Sequence, residues 1–153
     1  MGLRPSGGMK SDIESNVKSD IKQHRGACLC GDVRFEVALD ASKGSRCNCT
    51  LCTKLGATGA VVKPSAFQLL GPKSALASFT RTPEIGSRYF CARCHVYCFG
   101  EGHLEVLGGD FVSVNLNCID DFDVTRAELV HWDGRHDNWA AGPRSAPWPL
   151  DAA

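Results

Sequence analysis

Short stretches in which hydrophobic and polar residues alternate occur along most of this chain. In Asp32–Val37, polar residues separate Val33, Phe35 and Val37, which is the period of a β-strand with one buried face. Seven further strands are predicted at Gly59–Lys63, Phe67–Leu70, Leu76–Thr80, Ser87–Phe90, Val96–Phe99, Asp110–Leu116 and Glu128–Trp132. The pattern therefore predicts a mainly β fold of short strands, with Thr50–Leu55 as one turn of helix.

The two ends of the chain differ in composition from its centre. Residues 1–23 are polar, with few apolar anchors, and we expect them to form a flexible leader. Residues 24–139 carry the strand pattern and are expected to form one domain. Residues 140–153 contain three prolines, which argue against regular structure. Trp139 and Trp148 predict that this tail packs back on the domain, because two exposed tryptophans would be unusual.

The charge balance excludes several classes of partner. The chain carries 17 basic and 17 acidic residues, so no overall electrostatic attraction to nucleic acid or to an anionic membrane is expected. Its apolar runs are only a few residues long, far below the ~20 residues needed to span a bilayer. The N-terminal residues lack the apolar segment of a secretory signal. We therefore expect a cytoplasmic protein.

Cysteine is the residue type whose arrangement points to chemistry. The chain has nine cysteines, an odd number that, without an export signal, favours metal ligands or reactive thiols over disulfides. Cys28 and Cys30 form a CxC pair, and Cys91 and Cys94 form a CxxC pair. Together they supply four thiolates, the number that closes a tetrahedral structural zinc site. His95 follows the CxxC pair where zinc knuckles often have glycine, and histidine is among the residues that tolerate a positive φ.

A second group of three cysteines lies within six residues. Cys47, Cys49 and Cys52 are close enough in sequence to bind one ion together. Three protein ligands with one open position are typical of a catalytic zinc, because water or a substrate atom occupies the fourth position. Two alternatives stay open: Cys98, His95 or another side chain closes the site, or the three thiols hold no metal and undergo redox chemistry.

The other cysteines and histidines have simpler interpretations. Cys118 and Cys98 lie in or beside predicted strands and are expected to be small buried residues. His103 and His131 are isolated histidines, which are more often surface or core residues than ligands. Neither is predicted to act in catalysis.

Three cysteine-containing stretches together resemble a known family. These are GACLCGDVRF at residues 26–35, CNCTLC at residues 47–52 and FCARC at residues 90–94. Their order and spacing are similar to those of the glutathione-dependent formaldehyde-activating enzyme family, which also includes centromere protein V. The resemblance covers about residues 24–133.

The resemblance implies a fold of small antiparallel sheets, with Mss4-like or β-tent architecture, and two zinc ions per chain. It implies that Cys28, Cys30, Cys91 and Cys94 hold a structural zinc. It also implies that Cys47, Cys49 and Cys52 hold a catalytic zinc. The implied activity is that of a carbon–sulfur lyase, which adds glutathione to formaldehyde to give S-(hydroxymethyl)glutathione.

Three thiolates and one zinc ion leave a net negative charge, which needs compensation. Arg46, Lys54 and Arg93 flank the cysteine motifs and are candidates for this role. The leading hypothesis is an enzyme that joins a small thiol, such as glutathione, to formaldehyde or a related small electrophile. The alternatives are a non-catalytic two-zinc module that binds a protein partner and a metal-free thiol carrier.

Overall fold

The computed structural model describes residues 20–151, so most of the predicted polar leader lies outside the described residues. The ten strands are β1 (Lys22–Ala27), β2 (Arg34–Leu39), β3 (Lys43–Cys47), β4 (Gly59–Val62), β5 (Phe67–Leu69), β6 (Leu76–Thr82), β7 (Gly86–Cys91), β8 (Tyr97–Leu104), β9 (Gly109–Asn115) and β10 (Glu128–Trp132). Among these residues the α-helical segment is α1 (Thr50–Leu55). The prediction of a mainly β protein with one helical turn is confirmed.

The strands form two sheets. One has three strands in the order β1-β2-β5, and the other has seven in the order β10-β3-β4-β9-β8-β7-β6. All pairs are antiparallel except β3 with β10, which is parallel. The eight strands predicted from the hydrophobic pattern are all present, whereas β1 and β3 were not predicted.

The core lies where the small sheet packs on the large one. Alternate residues of β2 are buried, as its sequence predicts, and Phe35 and Val37 are completely enclosed. The ring of Phe67 packs between Phe35 and Phe99, with centroid distances of 5.2 and 4.6 Å. Such offset aromatic contacts add to the free energy that apolar burial provides. The two sheets are therefore held together by an aromatic core.

The parallel pair determines which loops meet. In its register Trp132 of β10 lies beside Cys47 of β3. Because parallel strands end at the same edge of a sheet, the chain leaves both strands on the same side. The CNCTLC loop and the segment that follows Trp132 are thereby brought together.

The C-terminal segment runs back along β10. His131 and Arg144 form an antiparallel bridge, and the indole Nε1 of Trp148 donates a 2.8 Å hydrogen bond to the carbonyl oxygen of His131. The Arg144 guanidinium lies 4.0 Å from the centre of the Trp148 ring. These contacts cover an edge strand whose backbone groups would otherwise be open to pairing with another chain. Trp139 is 51% exposed, and its ring centroid is 6.0 Å from that of Trp132.

No helix found between residues 20 and 151 has the length and apolar character needed to cross a membrane.

Candidate metal sites

Four cysteine sulfurs meet between the small sheet and the large one. Cys28 and Cys30 lie in the β1–β2 loop, while Cys91 ends β7 and Cys94 lies in the turn that follows. Their Sγ atoms are all within 4.8 Å of one another, including 3.7 Å for Cys28–Cys30 and 3.5 Å for Cys30–Cys91. Tetrahedral zinc with Zn–S bonds of about 2.3 Å would place its sulfurs about 3.8 Å apart. The four-cysteine cluster therefore fits a closed tetrahedral metal site.

Both halves of this cluster have the same backbone turn. Gly31 follows Cys30 with a φ of 85°, and His95 follows Cys94 with a φ of 64°. The prediction that histidine replaces glycine in the left-handed turn is confirmed. Backbone N–H groups point at the sulfurs, as Val33 N does to Cys28 Sγ at 3.3 Å. Such N–H···S bonds stabilise thiolate over thiol, which is the form that binds metal.

Ionisation of the CxxC pair is favoured before any metal binds. Backbone N–H groups of Cys94 and Arg93 donate to Cys91 Sγ and lower the pKa of that thiol. A hydrogen bond from the backbone of Val96 lowers the pKa of Cys94 to about 6. The side chain of Arg93, one of the predicted charge-compensating residues, lies 3.6 Å from Asp32 on the opposite turn. Arg93 therefore belongs with the four-cysteine cluster.

The three sulfurs of Cys47, Cys49 and Cys52 also lie within 4.8 Å of one another. Cys47 is the last residue of β3, and Cys49 caps the N-terminus of α1, where its sulfur accepts a hydrogen bond from Cys52 N at 3.3 Å. Cys47 Sγ accepts another from Cys49 N at 3.4 Å. The helix thus holds the three thiols on one side of a tight loop, half-buried.

Neither residue suggested as a fourth ligand joins these three sulfurs. Within residues 20–151, the group of potential ligands consists of the three cysteines alone. Cys98 is fully buried and donates to the Val96 carbonyl oxygen at 3.3 Å, while Cys118 is 7% exposed and donates to that of Tyr97. Both are buried small residues, as predicted. The three-cysteine cluster, Cys47, Cys49 and Cys52, therefore offers a metal three ligands from the protein.

Hydrogen bonds among the thiols of this cluster favour ionisation of Cys49 and oppose ionisation of the other two. Hydrogen bonds from Cys47 and Cys52 lower the pKa of Cys49 well below that of an ordinary thiol. Contacts with Cys47 and then with Cys49 raise the pKa of Cys52, and the contact with Cys49 raises the pKa of Cys47. One thiolate shared by two thiols is the stable arrangement without a cation, because like charges at this distance repel. A bound cation would favour ionisation of all three.

The loop after β10 holds the residue between the first two of these cysteines. Asn48 Nδ2 donates to Asp133 Oδ1 at 2.8 Å, and the Asn48 backbone N–H donates to the Trp132 carbonyl oxygen at 3.2 Å. Arg135 donates from its backbone N to Asn48 Oδ1 at 2.9 Å and from its Nε to Asn48 O at 3.1 Å. All four polar groups of Asn48 are therefore bonded to Trp132–Arg135.

Asp133 is the centre of this arrangement and was not predicted as a functional residue. It is 5% exposed, and it accepts hydrogen bonds from Asn48, His136 and Asn138. A buried carboxylate is stable only with such partners. The sequence gives little indication of this role. An aspartate that follows a strand is usually exposed, and the burial of Asp133 becomes evident only once the parallel pairing of β3 and β10 is known.

Gly134 packs directly on the loop that carries the three-cysteine cluster. A Cβ at this position would lie 2.5 Å from Cys47 Sγ and 2.9 Å from the ring of Trp139. Any side chain would therefore displace the sulfur or the indole. Glycine is required here by the close approach of the backbone.

A pocket of about 200 Å³ opens beside the three-cysteine cluster. The paired strands and the loop after β3 contribute Arg46, Cys47, Asn48, His131 and Trp132, and the C-terminal segment contributes Pro147, Trp148 and Leu150. Burial, followed by the nearby charges of Arg46 and Arg144, lowers the pKa of His131, so this imidazole is neutral at neutral pH.

The remaining candidates lie elsewhere. Lys54 is exposed on α1, and His103 forms hydrogen bonds with Asp110 and Glu105 on an exposed hairpin. A larger cleft of about 290 Å³, between β5 and the β6–β8 strands, has no cysteine in its lining. The cysteine chemistry therefore faces the smaller pocket.

Two comparisons with known proteins bear on this site. A family model described as glutathione-dependent formaldehyde-activating enzyme matches residues 23–135. A crystal structure of a Rhodobacter sphaeroides protein is similar in fold, with a TM-score of 0.61 and 23% sequence identity, over 71% of this chain and 98% of that chain. The family match includes both cysteine clusters and ends at Arg135, before Trp139 and the C-terminal wall of the pocket.

Proposed function

The chain belongs to the glutathione-dependent formaldehyde-activating enzyme family, and on that basis we propose that it is a zinc-dependent carbon–sulfur lyase. Its reaction is the addition of a thiol such as glutathione to formaldehyde or a related small electrophile, and the reverse. The observation that carries the proposal is the three-cysteine cluster, which supplies three ligands beside a pocket. That geometry favours a site that binds substrate over a purely structural site.

The two clusters have different roles in this proposal. Cys28, Cys30, Cys91 and Cys94 hold a structural zinc, because four thiolates leave no position open. Cys47, Cys49 and Cys52 hold the catalytic zinc. A zinc ion held by the three-cysteine cluster would lower the pKa of an incoming thiol, so that the sulfur of this thiol is available as thiolate at neutral pH.

The chain's own residues orient this chemistry. Asp133 and Arg135 fix Asn48, and through it the spacing of Cys47 and Cys49. Arg46 lines the same pocket as Cys47, and its Nε donates a 3.1 Å hydrogen bond to Thr58 Oγ1. Of the three predicted candidates for charge compensation, Arg46 is thus the one that lines the pocket beside this cluster, and Trp148 forms part of the C-terminal wall of that pocket.

The reaction balances without an oxidant or reductant. The thiol loses its proton to solvent, and its sulfur donates an electron pair to the carbonyl carbon to form the C–S bond. The carbonyl π bond breaks towards oxygen, which takes up a proton and becomes a hydroxyl group. In the lyase direction the same bonds form and break in reverse order.

The test begins with zinc per chain, measured by elemental analysis of anaerobically purified protein before and after a mild chelator. Two zinc ions, one of them labile, support the proposal. The next step is exchange NMR of glutathione with formaldehyde, comparing the protein with Cys49→Ala. Acceleration that is lost in the variant is expected. One tightly bound zinc and no acceleration would instead favour a non-catalytic interaction module.

A further inference from the structure

The pocket beside the three-cysteine cluster is completed by a part of the chain that the family match does not include. Pro147, Trp148 and Leu150 form one wall, and all three lie beyond residue 135, where the match ends. Trp132 and Cys47 contribute to the same lining. Three of the eight residues that line the pocket therefore come from the C-terminal segment beyond the family match.

The wall is fixed by hydrogen bonds as well as by apolar contact. His131 N donates to Arg144 O at 2.7 Å, and His131 O accepts from Arg144 N at 3.0 Å and from Trp148 Nε1 at 2.8 Å. Arg144 Nη2 and Nε bond the carbonyl oxygens of Pro147 and Ala146. The indole is thereby held between β10 and the Arg144 guanidinium, so the pocket is preformed.

The size of the pocket exceeds the needs of formaldehyde. Formaldehyde has two heavy atoms, whereas the pocket measures about 200 Å³. An apolar protein cavity of about 150 Å³ is already large enough for benzene. Most of the pocket would remain filled with water if the electrophile were formaldehyde and the thiol had no bulky group near sulfur.

The chemistry of the lining indicates what fills the space. Apolar surface in the pocket comes from Trp132, Pro147, Trp148 and Leu150. Binding sites lined by aromatic and aliphatic side chains favour apolar groups, because binding removes apolar surface from water. Flat indole surfaces also favour a ring over a flexible chain, because aromatic pairs stack in offset or edge-to-face geometry.

We propose that this pocket binds a ring-sized apolar substituent next to the reacting carbon or sulfur, so that the protein prefers a thiol–aldehyde pair larger than formaldehyde and a simple thiol. This inference rests on the proposed function, since it names the substrate class of the same site. The substituent belongs either to the aldehyde or to the thiol. In either case the same kind of apolar group occupies the same pocket.

The experiment compares matched substrates on the zinc-loaded protein, with the uncatalysed rate subtracted. The first arm varies the aldehyde: 2-mercaptoethanol reacts with benzaldehyde or with formaldehyde. The second arm varies the thiol: formaldehyde reacts with benzyl mercaptan or with 2-mercaptoethanol. We expect kcat/KM to be at least tenfold higher for the ring-bearing member of one arm. The arm that shows the preference identifies which partner carries the group. Equal values in both arms would overturn the proposal.

Two variants connect the preference to the C-terminal wall. Leu150→Ala shortens an exposed side chain of the pocket, and we expect it to reduce the ring preference about tenfold. Val106→Ala, on the distant β8–β9 turn and 87% exposed, is the control and should keep the preference of the unaltered protein. A preference that survives Leu150→Ala unchanged would contradict the role of this wall.

A binding measurement separates this inference from the proposed function. Benzyl mercaptan should quench tryptophan fluorescence with saturation, and Leu150→Ala should weaken that binding about tenfold. Saturable, Leu150-dependent quenching without any catalysis would reject the lyase activity and support the pocket. Catalysis on formaldehyde without ring preference or quenching would support the lyase activity and reject the pocket.

Discussion

Asn48 and Asp133 are separated by 85 residues in sequence, yet the Asn48 amide nitrogen donates a 2.8 Å hydrogen bond to the Asp133 carboxylate. Asn48 lies between two cysteines of the three-cysteine cluster, and Asp133 follows the strand that pairs in parallel with β3. The position of these cysteines is therefore determined by a distant part of the chain.

Substitution of Asp133 should loosen the second metal site selectively. Asp133→Ala removes the acceptor for Asn48, His136 and Asn138, and loss of such supporting partners costs roughly 10–100-fold in metal affinity or activity. We expect one of two zinc ions to become more labile to chelator, together with a drop in lyase activity. Asp120→Asn, an exposed carboxylate, is the control, and equal loss of both metals would contradict this role.

Cys91 should be essential for folding. Its loss would leave three thiolates without the fourth ligand, and structural zinc contributes about 10–16 kcal/mol in small zinc peptides. Cys91→Ser is expected to unfold or aggregate, as measured by circular dichroism and soluble yield. The matched control is Cys98→Ala, a buried cysteine outside both clusters, which should retain two zinc ions. A soluble Cys91→Ser protein with unchanged melting temperature would disprove the structural assignment.

Cys49→Ala should separate activity from stability. The three-cysteine cluster lies in a half-buried loop and a six-residue helix, while the aromatic core between the sheets is elsewhere. We expect loss of one zinc equivalent and of lyase activity, with far-UV circular dichroism largely retained. Retention of both metals and of activity would rule out Cys49 as a ligand.

Gly134→Ala tests the close contact with Cys47. The added Cβ would lie 2.5 Å from Cys47 Sγ, so the sulfur or the loop must move. We expect weaker retention of the labile zinc and reduced activity. In Gly59→Ala the new Cβ would have its nearest neighbours at 3.7 Å, an ordinary contact, and that variant should retain both metals. Normal zinc retention in Gly134→Ala would show that the loop yields without disturbing the site.

His103 should make the stability depend on pH. Hydrogen bonds with Asp110 and then Glu105 raise the pKa of this histidine above its ordinary value of about 6.5. A raised pKa in the folded state means that the stabilisation is complete below about pH 6.5 and is lost as the pH rises through the folded-state pKa. The melting temperatures of the native protein and of His103→Gln should therefore differ more at pH 5.5 than at pH 9. A gap that widens with pH would contradict this sign.

The hydrophobic pattern missed the two strands whose buried positions are not occupied by apolar side chains of any size. In β1 the buried positions are His24 and Gly26, and in β3 the buried position is Gly44, which packs against Leu116. Neither strand contains the alternating apolar residues on which the prediction depends. Their place in the sheets is determined by close backbone packing.

The cysteine clusters were predictable because ligand spacing is a local property. CxC, CxxC and CNCTLC each place sulfurs within one turn of the chain. The partners of Asn48 and the wall at Trp148 depend on the parallel pairing of β3 with β10, which brings together residues far apart in sequence. Such long-range pairing leaves no short motif, so Asp133, Gly134 and the pocket became visible only in the structure.

From the parallel pairing we also expect an order of assembly during synthesis. The four-cysteine cluster is complete in sequence at Cys94, whereas the frame of the three-cysteine cluster requires β10 and Asp133. A chain that emerges from the ribosome N-terminus first can therefore assemble its four-cysteine cluster while the loop of the three-cysteine cluster still lacks its support. Closing long-range contacts is the slow part of folding for such topologies. We therefore expect Cys47, Cys49 and Cys52 to reach their final geometry only after β10 has paired with β3.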